Sequence, residues 1–203
     1  MKIDKKKYDI SEQNFYITSY DKTQLILASS LRKDSNHLVR LKHKDFGKSK
    51  KWNTFTITRN GLIYQHYDPK CYTDFIGVKQ ADKQSISIVL ENMGYLIETP
   101  NGKYINWINE TCDKSNVLEK KWMGYSFWEK HPDKQIQATI ELCDKLCTEF
   151  NIERNLIEFR NYHKDILKFK GIVFRSNYFE ESGDVNPNID ISKFNEMLHN
   201  ENS

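Results

Sequence analysis

Hydrophobic and polar positions change period several times along the chain, and each change predicts an element. Thr23 to Ser30 opens with Leu25, Ile26 and Leu27 and closes on Ala28, Ser29 and Ser30. Such a continuous apolar run reads as a buried strand that delivers small residues to a sheet edge. Asn36 or Ser35 can cap a helix over residues 37–46, with Leu38, Leu41 and Phe46 turned inward and Gly47 ending it. Alternation over Thr54 to Thr58 and again over Leu62 to Tyr67 brackets Asn60 and Gly61. This predicts a hairpin whose turn takes positive φ at both central residues. Residues 70–82 read as a loop, and Ser85 to Glu91 as a second central strand broken by Asn92 and Gly94.

Beyond Gly94 the periodicity fades. Residues 95–131 hold Tyr95, Tyr104, Trp107, Trp122, Tyr125, Phe127 and Trp128 without a clear period, which predicts aromatic loops that lock onto the core or present a contact surface. Pro132 and Asp133 then start a helix to Phe150, whose inward positions Ile136, Ile140, Cys143, Cys147 and Phe150 step by four, three, four and three. Leu156 to Phe159 reads as a short strand, residues 169–187 as a winding loop, and Asn188 or Asp190 as the cap of a last helix through Leu198. Residues 1–22 are polar with Tyr8, Phe15, Tyr16 and Tyr20 among them, an N-terminal arm that docks by its rings, and residues 23–203 form a single domain. Strands alternating with helices predict an α/β fold with a central mixed β-sheet flanked by helices and its chemistry at strand ends and loops.

A chain of 203 residues with 38% hydrophobic residues can bury one proper core, and 13% aromatic residues argue against disorder. The net charge of +3, from 31 basic and 28 acidic residues, is too small to imply a nucleic-acid partner. Only Lys42 to Lys51 is locally basic, either as a solvated helix end or as a contact for an anionic polymer. Cys71, Cys112, Cys143 and Cys147 form no CxxC pair and read as core thiols in a reducing setting. No apolar segment follows the charged N-terminus and no window reaches membrane-spanning length, so neither an ordinary export signal nor a membrane span is expected.

Several stretches, taken in order, resemble the zinc-dependent N-acetylmuramoyl-L-alanine amidases, the type 2 amidase fold shared with amidase-type phage lysozymes and peptidoglycan-recognition proteins. TFTITRNGLIYQHYDPK is similar to the family hairpin, and SISIVLENMG to its central strand. The stretch from Trp122 to Ile152 resembles the tryptophan loop and helix of phage and prophage members. YHKDI and GDVNPNID resemble the closing elements. The resemblance implies a zinc ion held by two histidines and an aspartate or cysteine, with an open position for water or the scissile carbonyl. It also implies a glutamate or tyrosine for proton transfer and a lysine for the oxyanion.

Carried over position by position, the first zinc histidine falls on Ala28, the strand glutamate on Val89 and the tyrosine before the hairpin on Asn53. The loop histidine falls on Phe75 and the lysine near the last ligand on Ser182. Only His163 and Asp184 keep ligand identities, and the glycine before the second histidine is Tyr162. Two ligands leave a zinc ion mostly aquated. The expectation is therefore an amidase-like domain without activity or cofactor, in which His163 and Asp184 bond each other or cap loop backbone. Its implied role is that of a virion structural or interaction protein with other phage or host proteins as partners, or of a non-cleaving peptidoglycan binder. Its expected location is the virion or the bacterial host cytoplasm. The alternative is a working zinc amidase, cutting between N-acetylmuramic acid and L-alanine, with His37, His43 or His66 as substitute ligand. A wall-fragment binder would keep an open groove near Asn53, Phe75 and His163.

Overall fold

The computed structural model describes residues 1–33, 36–41, 50–179, 185 and 187–200. In chain order the strands are β1 (Ile3–Asp4), β2 (Gln24–Ser29), β3 (Phe55–Ile57), β4 (Ile63–Gln65), β5 (Ser85–Leu90), β6 (Tyr95–Glu98), β7 (Tyr104–Ile105), β8 (Thr111–Cys112), β9 (Val117–Trp122), β10 (Tyr125–Glu129) and β11 (Gly171–Phe174). The helices are α1 (Asn36–Leu41), α2 (Lys79–Gln84), α3 (Asp133–Phe150) and α4 (Ile191–Asn200). A six-stranded sheet runs β1-β4-β3-β5-β2-β11, with only the β3–β4 pair antiparallel. This is the mixed sheet of an α/β fold, as the alternation of elements predicts.

β2, β5 and β11 are buried along their whole length, which is why they read as continuous apolar runs rather than alternating ones. α3 lays Ile140, Cys143, Leu146 and Cys147 into one core with Leu25, Leu27, Phe55, Ile86 and Ile88. It ends at Asn151, which takes φ 53 and returns its N–H to Cys147 O. All four cysteines are buried free thiols. None of the described helices is long and apolar enough to cross a membrane.

Several expectations change. Asn60 does not take positive φ, and Gly61 alone does, at φ 83. Gly61 N donates to Thr58 O and Thr58 N to Leu62 O, so the turn is a four-residue reversal closed by a left-handed glycine rather than a two-residue hairpin loop. The loop over residues 70–82 is shorter than expected because α2 begins at Lys79, and its Asp82 carboxylate accepts the N–H groups of Ile76 and Gly77. Residues 95–131 are not irregular. They form a second, antiparallel sheet in the order β8-β7-β6-β10-β9, with Met123 and Gly124 at φ 48 and 81 turning β9 into β10. Its own small core is Met93, Leu96, Tyr104 and Cys112. With few residues to bury, its strands show little alternation, which hides them from a pattern reading.

The supposed loop over residues 169–187 contains β11, which pairs with β2, while Leu156 to Phe159 contributes only an isolated bridge between Leu156 and Ile172. Residues 1–22 supply an edge strand, since β1 pairs with β4. Their rings sit on the hairpin and the following loop: Tyr8 lies edge-on to Tyr64 at 4.8 Å, Phe15 stacks on Tyr67 at 5.2 Å and Tyr16 on Tyr72 at 4.6 Å. At α4 the cap is Asp190, whose Oδ1 accepts Lys193 N at 3.0 Å. At α1, Leu38 is buried as expected and helix begins at Asn36, while Ser35, Phe46 and Gly47 lie outside the described residues.

The hairpin turn meets α3 closely, for a Cβ on Gly61 would stand 2.8 Å from Lys134 O, whereas one on Gly102, at φ 70, would meet nothing within 4 Å. Gly102→Ala is expected to lose about 1 kcal/mol of stability in urea unfolding, for backbone strain alone. Gly61→Ala is expected to lose a further 1–3 kcal/mol or so, from the clash with α3. Equal losses would show that the turn does not press on the helix.

Candidate functional site

Strand register sets the residues of the candidate site side by side. Ala28 on β2 faces Val89 on β5, Val89 faces Thr56 on β3, and Thr56 faces Tyr64 on β4, so these four lie in a row on one face of the sheet. Ala28 is 0% exposed and Val89 3%, so the row is sealed at the very positions where the resemblance places a zinc ligand and a glutamate. An alanine methyl offers a metal no lone pair.

Polar chemistry resumes at Thr56 and runs away from Ala28. His66 Nδ1 lies 2.7 Å from the backbone oxygen of Tyr8, and Thr56 Oγ1 lies 2.8 Å from His66 Nε2. A carbonyl can only accept, so Nδ1 carries the proton and Nε2 takes the threonine hydroxyl proton. Asn53 Nδ2 in turn donates to Thr56 Oγ1 at 2.9 Å and to Phe55 O. That leaves Asn53 Oδ1 as an acceptor, with His37 Nε2 at 3.2 Å as its donor. One backbone carbonyl from the N-terminal arm thus orders every proton in the chain of four side chains.

Both nitrogens of His66 are engaged, whereas His37 keeps an acceptor lone pair on Nδ1. Its ring stacks on Trp52 at 4.6 Å, and Trp52 stands edge-on to His66 at 5.9 Å. Burial pushes the His66 pKa down to about 4, against a smaller upward pull from the Tyr8 carbonyl. Burial, and then the neighbouring His66, hold His37 below the usual histidine range, and its bond to Asn53 opposes them. Both rings are neutral at physiological pH. Neither Thr56 nor Trp52 figures in the sequence reading. A threonine between two apolar strand residues was the available signal for the first.

His163 sits on an exposed loop tied down by Asn177, whose backbone oxygen accepts His163 N and whose Nδ2 donates to Phe159 O and Asn161 O. Its Nδ1 accepts Asp165 N at 3.3 Å, and its ring meets Phe159 at 5.0 Å. Phe75 packs partly buried against the main core, with the Arg175 guanidinium 5.7 Å from its ring centre. Asp184, Ser182, His43 and most of the basic run from Lys42 to Lys51 lie outside the described residues, so the pairing expected for His163 and Asp184 is not described. Among the described residues no three His, Cys, Asp or Glu side chains come together around one point as metal ligands would. Among the described residues the donors do not fit a catalytic zinc ion, since Ala28 has none and His66 has spent both.

The fold has known counterparts. Escherichia coli AmiD, an N-acetylmuramyl-L-alanine amidase solved with anhydro-N-acetylmuramic acid-L-Ala-D-gamma-Glu-L-Lys, superposes with a TM-score of 0.57 at 14% identity, over 89% of this chain and 59% of that one. The chain thus spans well under two thirds of AmiD. The amidase LysC of Clostridium intestinale superposes at 0.53 and 12% identity, over 98% and 97% of the two chains. The PlyG catalytic domain does so at 0.55 and 11%, over 100% and 96%. At such identities the likeness is one of fold. No curated protein sequence matches the chain. A family model described as Amidase_2, N-acetylmuramoyl-L-alanine amidase, matches residues 18–171. That match covers well over half of the sequence, and the chain therefore belongs to the N-acetylmuramoyl-L-alanine amidase family.

Proposed function

We propose that this chain is an amidase-fold protein that does not hydrolyse, and that it acts by binding other proteins, in a phage virion or in the host cytoplasm. The observation that carries this reading is the buried pair Ala28 and Val89, apolar and in register where an amidase would need a ligand and a proton-transfer group. The phage setting is supported by the likeness of the Trp122 to Ile152 stretch to phage and prophage members. Non-cleaving attachment to peptidoglycan is the second form of the same reading. An open groove is less well supported, because Asn53 is 1% exposed and bonded on both sides.

One observation favours a working amidase instead. His37 is half-buried and its Nδ1 lone pair is unspent in the proton order derived above, so it has one nitrogen to offer a metal. Two measurements separate the readings: zinc per chain in the purified protein, and dye release from labelled cell walls. Neither zinc nor lysis is expected, and zinc near one per chain together with lysis would install the amidase reading. Restoring the histidine should not restore the metal. Ala28→His is expected to lose about 1–3 kcal/mol of stability by overpacking a closed site, and to take up no zinc.

Buried neutral histidines also predict acid lability. Histidine in an unfolded chain titrates near 6.5, and the fold holds His66 to about 4, so the unfolded state binds the extra proton. The stabilisation is complete above roughly pH 6.5 and is lost as pH falls towards 4, by on the order of 3 kcal/mol. Urea midpoints followed across that window should show the fall, and His66→Gln should remove part of it. His131, which burial also holds to about 4, supplies another part. An unchanged slope in the variant would clear His66 of the role.

A further inference from the structure

We infer that the turn carrying Trp107 is a docking point for an acidic segment of a partner protein. Trp107 sits between β7 and β8 with 50% of its surface exposed, yet it is held from three sides. Its indole N–H donates to Leu31 O at 3.0 Å, and the Arg32 guanidinium lies 4.8 Å from the ring centre. The turn beneath it is closed by Asn106, itself buried, whose Oδ1 accepts Ile108 N and Glu110 N. Glu110 Oε2 then accepts Asn106 Nδ2 at 2.7 Å and Lys33 N at 2.8 Å, tying the turn to the segment that leaves β2.

Two residues of this assembly, Leu31 at φ 55 and Asn109 at φ 64, take left-handed backbone. A leucine adopts that conformation only where its surroundings impose it. The result is a large apolar ring presented in a fixed orientation, which loses little freedom when something covers it. Exposed tryptophans on loose turns carry no such meaning. This one is built in.

Charge selects the partner. The Arg32 side chain makes no hydrogen bond or ion pair among the described residues. Lys33 Nζ donates to Thr111 O, and Arg40 on α1 lies close enough that the Arg32 charge, after burial, lowers its pKa. Arg32, Lys33 and Arg40 are the described cations of this segment. The polar atoms beside the ring, on Asn106 and Glu110, are occupied within the turn, so few hydrogen bonds remain for sugar hydroxyls. A tryptophan flanked by arginine is the composition that protein interfaces use for anchors. Carboxylates facing Arg32, with an apolar side chain on the ring, complete the match.

This inference rests on the non-hydrolysing reading but is measured separately from it, since zinc and wall lysis report on that reading and peptide binding on this one. The probe is a fluorescein-labelled peptide of glutamates around one phenylalanine, followed by anisotropy at low and high salt. Binding that weakens with salt is expected, together with a loss of at least about tenfold in Trp107→Ala and in Arg32→Ala. Phe159→Ala, an exposed ring outside the patch, should bind as the parent does. Thermal melts establish that each variant is folded, and Trp107→Phe, which keeps a ring, should lose less than Trp107→Ala. Absence of binding by the parent chain, equal binding by Trp107→Ala, or binding to purified cell walls in place of the peptide would each overturn the inference.

Discussion

The parallel pairing of β2 with β5 is the constraint on which the rest of the molecule depends. Six residues of each strand lie in register, from Gln24 against Ser85 to Ser29 against Leu90, and all twelve are buried. A strand enclosed on both faces makes an unpaired polar group costly, so its side chains are mostly apolar or bonded, and the Ser29 hydroxyl is left without a partner at the end of β2. Gln24 shows the bonded case. Its Nε2 donates to Ile166 O and Phe169 O, and its Oε1 accepts the Tyr178 hydroxyl, which fastens the closing segment to the start of β2. Ala28 and Val89 show the apolar case at the other end.

From that pairing the state of the candidate site follows. A zinc histidine at position 28 would stand in an enclosed place, and in a metalloenzyme the ion and its water would satisfy it. With alanine there, no such partner is needed, and the sheet closes over as ordinary core. The polarity has moved along the row to Thr56, where it is answered by Asn53, His37 and His66, and finally by a carbonyl of the arm. The arm is thereby more than an edge strand. It sets the tautomer of a buried histidine and so the direction of every hydrogen bond behind it.

What was legible in the sequence follows the same physics. The strands enclosed on both faces and the amphipathic α3 were legible, because burial writes a long apolar run or a 3.6-residue period into the chain. β11 has only four residues, and GIVF between Lys170 and Arg175 is too short a run to stand out from a loop. The second sheet was illegible for a related reason: strands of two to six residues bury little, and stacked rings such as Tyr95 on Tyr125, 3.8 Å apart, supplement its small core. Its turns were nevertheless marked, by Pro100, Asn101 and Gly102 and by Met123 and Gly124. The identities at 28, 53, 75 and 89 could be read one by one. That Asn53 would join His37 to Thr56 and His66 was not, since no local pattern brings together residues so far apart in the chain.

A fold can outlast its reaction because the parts that hold the sheet and the parts that hold a metal are separable. Removing a ligand from an enclosed strand end costs the fold nothing if the vacated space is packed with apolar atoms, and a buried pair of hydrophobic residues is commonly as stable as the polar group it replaces. Backbone strain is the opposite kind of evidence. The left-handed Leu31 follows directly after β2 and Ser30, two residues beyond the sealed end of the sheet, and its carbonyl holds the Trp107 indole. Its side chain packs over Gly94, and its carbonyl also accepts Asn106 Nδ2 at 3.4 Å, so the strained residue is fixed from both sides. Ala28 and Val89 close the far end of β2, and the segment that leaves it holds the Trp107 ring and the Arg32 guanidinium side by side at the surface.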